Sequence, residues 1–173
     1  MKLSRQPLIS AAAIAERVRG LGAELADEFR DKRPLVLGVL NGAALFTADL
    51  VRAMDIDLEI EFIHARSYAG TESTGRVILS RAEDLRVTGR SVLLVEDIVD
   101  TGRTLAALLE RLRGQDPSSV TLCALLDKPS RRIVPVQPDF TGFTIDDLFV
   151  VGYGLDYNEH YRNLPDIRLV AEE

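Results

Sequence analysis

The chain has 173 residues, 46% hydrophobic and 28% charged, with a formal net charge of −6. That length and mix suit one soluble globular domain with a real core and exclude a disordered or low-complexity chain. The acidic balance argues against a nucleic-acid or membrane partner, no apolar run approaches transmembrane length, and the single cysteine, Cys123, excludes an intramolecular disulfide or a cysteine-based zinc cluster.

Leu122, Ala124 and Leu125 flank Cys123, which marks it as an inert buried thiol rather than a nucleophile. The N-terminal residues MKLSRQPLIS hold no secretory apolar core, so the expected address is the cytoplasm. Ser10 can cap a helix in which Ile14, Val18, Leu21, Leu25 and Phe29 recur at helical spacing. After Pro34 the run 35–40 reads as a buried strand that ends at Asn41-Gly42-Ala43, and a helical pattern resumes over 45–54. Leu58, Ile60 and Phe62 alternate with Glu59 and Glu61, so the next strand is expected to be half exposed, with a structural His64 near its end. Residues 67–76 (SYAGTESTGR) are polar and lack apolar periodicity; they form a connection or a lid, and Tyr68 suits a lid because a loop-tip aromatic can cover a ligand. A short strand over 77–79 and a turn around Gly89 lead to the centre of the chain.

That centre, residues 91–105, reads SVLLVEDIVDTGRTL. Val92, Leu93, Leu94 and Val95 have the continuous apolar character of a parallel strand buried on both faces. Glu96, Asp97 and Asp100 follow where that strand is expected to end, and turn chemistry at 100–104 precedes a helical stretch over 105–113. The start of that helix suits a phosphate: free N–H groups and the positive dipole end face it, Gly102 permits close backbone approach, and Thr101 and Thr104 add hydroxyls. Carboxylates repel phosphate, so their work is to accept hydrogen bonds from sugar hydroxyls, to hold a hard cation such as Mg²⁺, or to move a proton. A phosphorylated sugar fits this combination, although spacing alone suits a solvated acidic turn equally well. Neither G-x-x-x-x-G-K-[ST] nor G-x-G-x-x-G occurs in the chain.

Further on, 120–126 is another buried run, followed by the charged turn Asp127-Lys128-Pro129-Ser130-Arg131-Arg132. Residues 140–147 break the alternation, 149–154 (FVVGYG) read as a short strand, and 167–170 as a last edge strand. The predicted fold is α/β: a single domain, with a largely parallel central sheet flanked by helices over about residues 35–130. A small irregular hood subdomain is expected from the N-terminal segment and about residues 131–173.

VLLVEDIVDTGRTL resembles the phosphoribosylpyrophosphate (PRPP) signature of type I phosphoribosyltransferases: apolar strand, two acids, two apolar residues, then D-T-G-x-T. Ser67-Tyr68 in the lid loop, LLDKPSRR at 125–132 and DLFVVGYGLDYNEHYRNLP at 147–165 resemble, more narrowly, the hypoxanthine-guanine phosphoribosyltransferases. The resemblance implies the type I phosphoribosyltransferase fold and purine salvage: transfer of the 5-phosphoribosyl group of PRPP to hypoxanthine or guanine, releasing pyrophosphate, with Mg²⁺ as cofactor. It places Asp100, Thr101, Gly102, Arg103 and Thr104 at the 5′-phosphate, Glu96 and Asp97 at the ribose hydroxyls, and Asp100 as the base that takes the proton from purine N7. Lys128 would donate to O6, Phe149 stack on the purine, and the Val150 backbone meet the base edge. Asp156, at the purine end, would join Glu96 and Asp97 as a metal-associated carboxylate, while Asn41, Gly42 and Arg162 would hold pyrophosphate.

An ammonium can only donate, so Lys128 suits the O6 acceptor of a 6-oxopurine and disfavours the 6-amino donor of adenine. Arg131 and Arg132 are open between a solvated or subunit-interface role and ligand contact. One departure stands out: Asn41 occupies a position where many members of the family carry lysine or arginine, at a step that is often a cis peptide, so cis Leu40–Asn41 is expected. The family commonly forms homodimers or homotetramers. Alternative readings are an RNA-binding regulator on the same fold, which the acidic charge disfavours, or a transferase for another base such as xanthine, uracil or adenine.

Overall fold

The computed structural model describes residues 2–67, 77–80 and 85–171. In chain order they form β1 (Lys2–Leu3), α1 (Ala11–Glu28), β2 (Leu35–Leu40), α2 (Ala44–Ala53), β3 (Glu59–Ser67), β4 (Val77–Ser80), β5 (Ser91–Val99) and α3 (Arg103–Arg113). They continue through β6 (Ser119–Asp127), a 3₁₀ turn (Pro129–Arg131), β7 (Phe140–Thr144), β8 (Val150–Val151) and β9 (Arg168–Ala171). Six strands make one sheet in the order β4-β3-β2-β5-β6-β7. Its pairings are parallel except for β4, which runs antiparallel to β3.

Successive side chains of a strand point to opposite faces, and β5 uses both. Leu93 and Val95 join Ile14, Val18, Leu21 and Leu25 of α1 and Phe46 and Leu50 of α2 in one core. Val92 and Leu94 pack on the other face with Leu105, Leu108, Leu109 and Leu112 of α3. All four strand residues are fully buried. At about 1.5–3 kcal/mol per buried side chain, burial outweighs a β-propensity scale that spans only ~1 kcal/mol, so packing decides that this run is a strand. Ser10 caps α1 as its chemistry predicts, its hydroxyl accepting from the Ala13 amide at 3.2 Å.

The structure corrects the sequence reading in three places. First, β5 does not end at Val95; it runs on through Glu96 and Asp97 to Val99, with Glu96 paired to Ala124 and Ile98 to Leu126. Its acids therefore stand on a strand rather than on a loop, because the β6 ladder continues beside them. Second, residues 140–144 break the alternation of strands and helices, as expected, but they do so as an edge strand of the central sheet, β7, parallel to β6. Asp139 docks that strand: its carboxylate accepts from the Leu122 amide at 2.7 Å and its own amide donates to the Leu122 carbonyl at 2.9 Å. Gly142 permits the close approach, since a Cβ there would fall 2.4 Å from the Leu125 carbonyl oxygen. Arg17 of α1 then covers the exposed edge, donating to the carbonyls of Thr141 at 2.7 Å and Gly142 at 3.1 Å. Third, the expected strand 149–154 shrinks to Val150–Val151, because Gly152, Tyr153 and Gly154 take positive φ values of 105°, 48° and 101° and turn the chain back.

A second, three-stranded antiparallel sheet, β1-β9-β8, joins the two ends of the chain, with Lys2 opposite Ala171 and Val150 opposite Leu169. Among the described residues no helix is long and apolar enough to cross a membrane. The expected lid over 67–76 lies outside the described residues except for the backbone of Ser67.

Helix α1 crosses α2 at Gly22, where an added Cβ would lie 2.5 Å from Ala53 Cβ and 2.6 Å from its carbonyl oxygen. Gly22→Ala gains about 1 kcal/mol of helix propensity but overpacks this crossing by about 1–3 kcal/mol, so the urea midpoint should fall. A raised midpoint would contradict the tight crossing.

Candidate active site

In open parallel sheets a ligand meets the carboxyl ends of the strands, and here those of β2, β5 and β6 converge. β2 ends in a cis Leu40–Asn41 peptide, as expected. The following Gly42 lies directly against Asp97: a Cβ on Gly42 would sit 1.6 Å from Asp97 Oδ2, so only glycine fits. A second loop presses on the first, since a Cβ on Gly154 would fall 2.0 Å from the Gly42 carbonyl oxygen. Tyr153 fastens that loop to α2 by donating its hydroxyl to Asp49 Oδ2 at 2.6 Å. Burial and the Asp49 carboxylate both push the phenol pKa upward, so it stays a donor.

These loops enclose a cleft of about 300 Å³. Asn41 and Gly42 line one side, and the half-buried Glu96 and Asp97 contribute from β5. Asp100, Thr101, Gly102 and Thr104 line it from the start of α3, and Asp156 and Arg162 from the C-terminal segment. Burial and the neighbouring Asp97 charge raise the Glu96 carboxyl well above the usual carboxylate range. Burial also raises Asp97, against the opposing pull of its neighbours: the Ile98 amide donates to its Oδ1 at 2.8 Å, and the Arg162 charge favours the ionised form. Two carboxyls side by side cannot both ionise cheaply, and a proton or a cation relieves them.

Helix α3 opens at Gly102, φ 82°, with no side-chain cap, and its Arg103 amide reaches only the Thr101 hydroxyl, at 3.5 Å, so the helix start suits an acceptor from outside. Segment 131–134 props this turn from behind. The Thr101 carbonyl accepts from the Ile133 and Val134 amides at 3.0 and 3.1 Å, and Arg132 donates both to the Asp100 carbonyl and to the Asp127 carboxylate. Arg131 pairs its Nε with Asp100 Oδ1 at 3.0 Å.

Lys128 is only 6% exposed, and its Nζ donates to the Leu148 carbonyl at 2.5 Å. Phe149, by contrast, is 54% exposed and meets Tyr157 edge to face, with centroids 5.6 Å apart. An exposed ring on a fixed edge is free to stack on a flat ligand. Val150 is buried beside it. The Asp156 carboxylate lies 2.8 Å from Arg162, which also donates to the Gly154 carbonyl at 2.8 Å.

Ten of the expected site residues thus line the cleft, from Asn41 to Arg162. Arg103 is exposed on α3 and does not line it; neither do Lys128, Phe149 and Val150, which stand together at the end of β6 and the start of β8. The side chains of Ser67 and Tyr68 lie outside the described residues. Sequence reasoning did not single out Asp49, Asp147 or Tyr153, and it left Arg131 and Arg132 undecided. The charge that follows β6 carried the signal for the arginines, but spacing does not tell which carboxylate an arginine will grip. Cys123 is buried, its thiol pushed up to about 12, which fits the inert role expected.

The family model for the phosphoribosyl transferase domain matches residues 8–158. The hypoxanthine-guanine phosphoribosyltransferase of Lactococcus lactis is 46% identical over 173 residues, covering 99% of this chain and 94% of its own. That of Bacillus subtilis is 48% identical over 161 residues, covering 92% of this chain and 89% of its own. A crystal structure of a hypoxanthine-guanine phosphoribosyltransferase from Bacillus anthracis superposes with a TM-score of 0.92 at 41% identity, over 98% of this chain and 100% of that one.

The raised carboxyls of Glu96 and Asp97 bear on stability. A carboxyl with a raised folded-state pKa binds its proton more tightly folded than unfolded, so stability falls as pH rises above about 4, the unfolded value. In metal-free protein, Glu96→Gln should therefore resist urea better than the parent near neutral pH, with the advantage vanishing at about pH 4. A difference independent of pH would contradict this.

Proposed function

The chain belongs to the phosphoribosyl transferase domain family, alongside the hypoxanthine-guanine phosphoribosyltransferases, and from that premise we propose how its cleft works. It transfers the 5-phosphoribosyl group of PRPP to hypoxanthine or guanine, giving IMP or GMP and pyrophosphate. One observation carries the assignment of parts: paired carboxyls, an uncapped helix start and a lysine with an exposed aromatic beside it gather at the ends of adjacent parallel strands.

The 5′-phosphate takes the uncapped turn of Thr101, Gly102, Arg103 and Thr104, where amides and hydroxyls donate and the helix dipole favours an anion. Glu96 and Asp97, unsuited to a phosphate, accept from the ribose hydroxyls. Arg162, Asn41 and Gly42 receive the pyrophosphate; Asn41 donates a hydrogen bond there without bringing charge. The purine stacks on Phe149, meets the Val150 backbone and presents O6 to Lys128, whose ammonium is already aimed by the Leu148 carbonyl. Asp100 accepts the N7 proton as the new glycosidic bond forms at N9. The sugar passes through an oxocarbenium-like state, whose positive charge the neighbouring carboxylates stabilise.

The residues present fit a hard divalent cation: Glu96 and Asp97 offer adjacent carboxyl oxygens whose crowded negative charge a cation relieves. Among the described residues no set of three acidic or histidine side chains is preassembled for a metal, and Asp156 is already paired with Arg162, so the metal is expected to arrive with its diphosphate. Mg²⁺ bound there by Glu96, Asp97 and Asp156 would neutralise charge on the departing pyrophosphate. We take the working form to be a homodimer or homotetramer in the cytoplasm; exposed Ile60 and Phe62 support a partner copy. The whole chain acts as one domain, with the terminal sheet and its neighbouring loops as a hood over the cleft.

The test is an assay with PRPP, Mg²⁺ and a panel of bases, following pyrophosphate release. Turnover of hypoxanthine or guanine over adenine is expected; no PRPP consumption with any 6-oxopurine would overturn the reading. Asp100→Asn should lower kcat by about 10²- to 10⁴-fold, and unchanged turnover would remove Asp100 as the base. Lys128→Ala should weaken use of 6-oxopurines and relax the preference over 6-aminopurines. If that preference survives, Lys128 does not read O6.

A further inference from the structure

Asp147 opens the segment that carries Phe149 and Val150, and its carboxylate is shared. One oxygen lies 3.3 Å from Arg131 Nη1 and the other 4.0 Å from Lys128 Nζ. Arg131 in turn holds Asp100 at 3.0 Å. Four groups of alternating sign therefore run in sequence: Asp100, Arg131, Asp147, Lys128. The ends of that chain are the residues that act on the purine.

N7 and O6 occupy one edge of a 6-oxopurine, so an acceptor for the first and a donor to the second must keep a fixed separation. Asp100 follows β5 and Lys128 follows β6, and each is a charged side chain of opposite sign. Left alone, the two are free to neutralise each other, and neither would then serve the base. The pair between them prevents this by giving each end a different partner. Arg131 is well placed to do so, because its amide donates to the Lys128 carbonyl at 3.1 Å across the 3₁₀ turn Pro129–Arg131, so both side chains leave one rigid turn. Asp147 is well placed too: the next residue, Leu148, supplies the carbonyl that accepts from Lys128.

We propose that Arg131 and Asp147 are positioning residues, whose bridge sets the separation of Asp100 and Lys128 to match the N7 and O6 edge of the purine. The inference rests on Asp100 and Lys128 acting at the base. The side chains of Arg131 and Asp147 are 45% and 52% exposed, so their ion pairs contribute little to folding. Their loss is felt in turnover instead, where a misplacement of about 1 Å can lower the rate about 10²-fold.

The experiment is steady-state kinetics with PRPP and hypoxanthine on the parent, Arg131→Ala, Arg131→Lys, Asp147→Ala and the Arg131→Ala/Asp147→Ala double variant, with the melting temperature of each. Each alanine variant should lower kcat by about 10- to 10²-fold, leave KM for PRPP within about twofold, and melt with the parent. Arg131→Lys should recover most of the loss, and the double variant should be no slower than the worse single one, as expected of two residues acting as a unit. Parent-like kcat in both single variants, losses that multiply in the double variant, a lysine variant no better than alanine, or a loss that tracks the melting temperature would each overturn the inference. A parent enzyme that consumes no PRPP with any 6-oxopurine overturns the assignment of the reaction as well; a turning-over parent with indifferent variants overturns this inference alone.

Discussion

Asp97, Gly42 and Gly154 stack so closely that no methyl group fits at either step, and the site depends on this column. A Cβ on Gly42 would sit 1.6 Å from the Asp97 carboxylate, and one on Gly154 2.0 Å from the Gly42 carbonyl oxygen. Three distant parts of the chain meet there: the end of β2, the acidic half of β5 and the turn after β8. The hydroxyl of Tyr153 on Asp49 and the guanidinium of Arg162 on the Gly154 carbonyl hold the outermost layer. The Gly154 layer rests on backbone and the Gly42 layer on the Asp97 carboxylate, so a side chain at Gly154 would displace the neighbouring main chain and one at Gly42 would displace that carboxylate.

Charge within that frame is divided by position. The uncapped start of α3 suits an anion, while the carboxyls that would repel one stand on β5. Burial raises the carboxyls of both Glu96 and Asp97, and the Asp97 charge raises Glu96 further. Such a pair is poised for sugar hydroxyls, a cation or a developing positive charge on ribose, and all three arise in one phosphoribosyl transfer.

Much of this was legible in the chain because the deciding interactions are local. Four consecutive apolar residues announce the central strand, and helical spacing at Ile14, Val18, Leu21 and Leu25 announces the helix that covers it. The acids and the turn at 100–104 stand next to one another in sequence before they do so in space. What was hidden depends on tertiary partners. Strand β7 has no apolar run of its own and forms because Asp139, Gly142 and Arg17 dock it. The continuation of β5 through Glu96 and Asp97 is imposed by the β6 ladder, against the expectation that charge ends a buried strand. Arg131 and Arg132 looked alike, yet one grips the carboxylates of Asp100 and Asp147 and the other the Asp100 carbonyl and the Asp127 carboxylate.

The central claim is that the cleft and the adjoining ends of β6 and β8 together present a phosphate cradle, a ribose floor and a purine edge in fixed register. The structure of the complex with inosine 5′-monophosphate tests it most directly. The account predicts the 5′-phosphate on the amides and hydroxyls of 101–104, the ribose hydroxyls on Glu96 and Asp97, N7 within hydrogen-bond reach of Asp100 and O6 within reach of Lys128. A nucleotide bound with its phosphate elsewhere, or with its N7 and O6 edge turned away from Asp100 and Lys128, would contradict it.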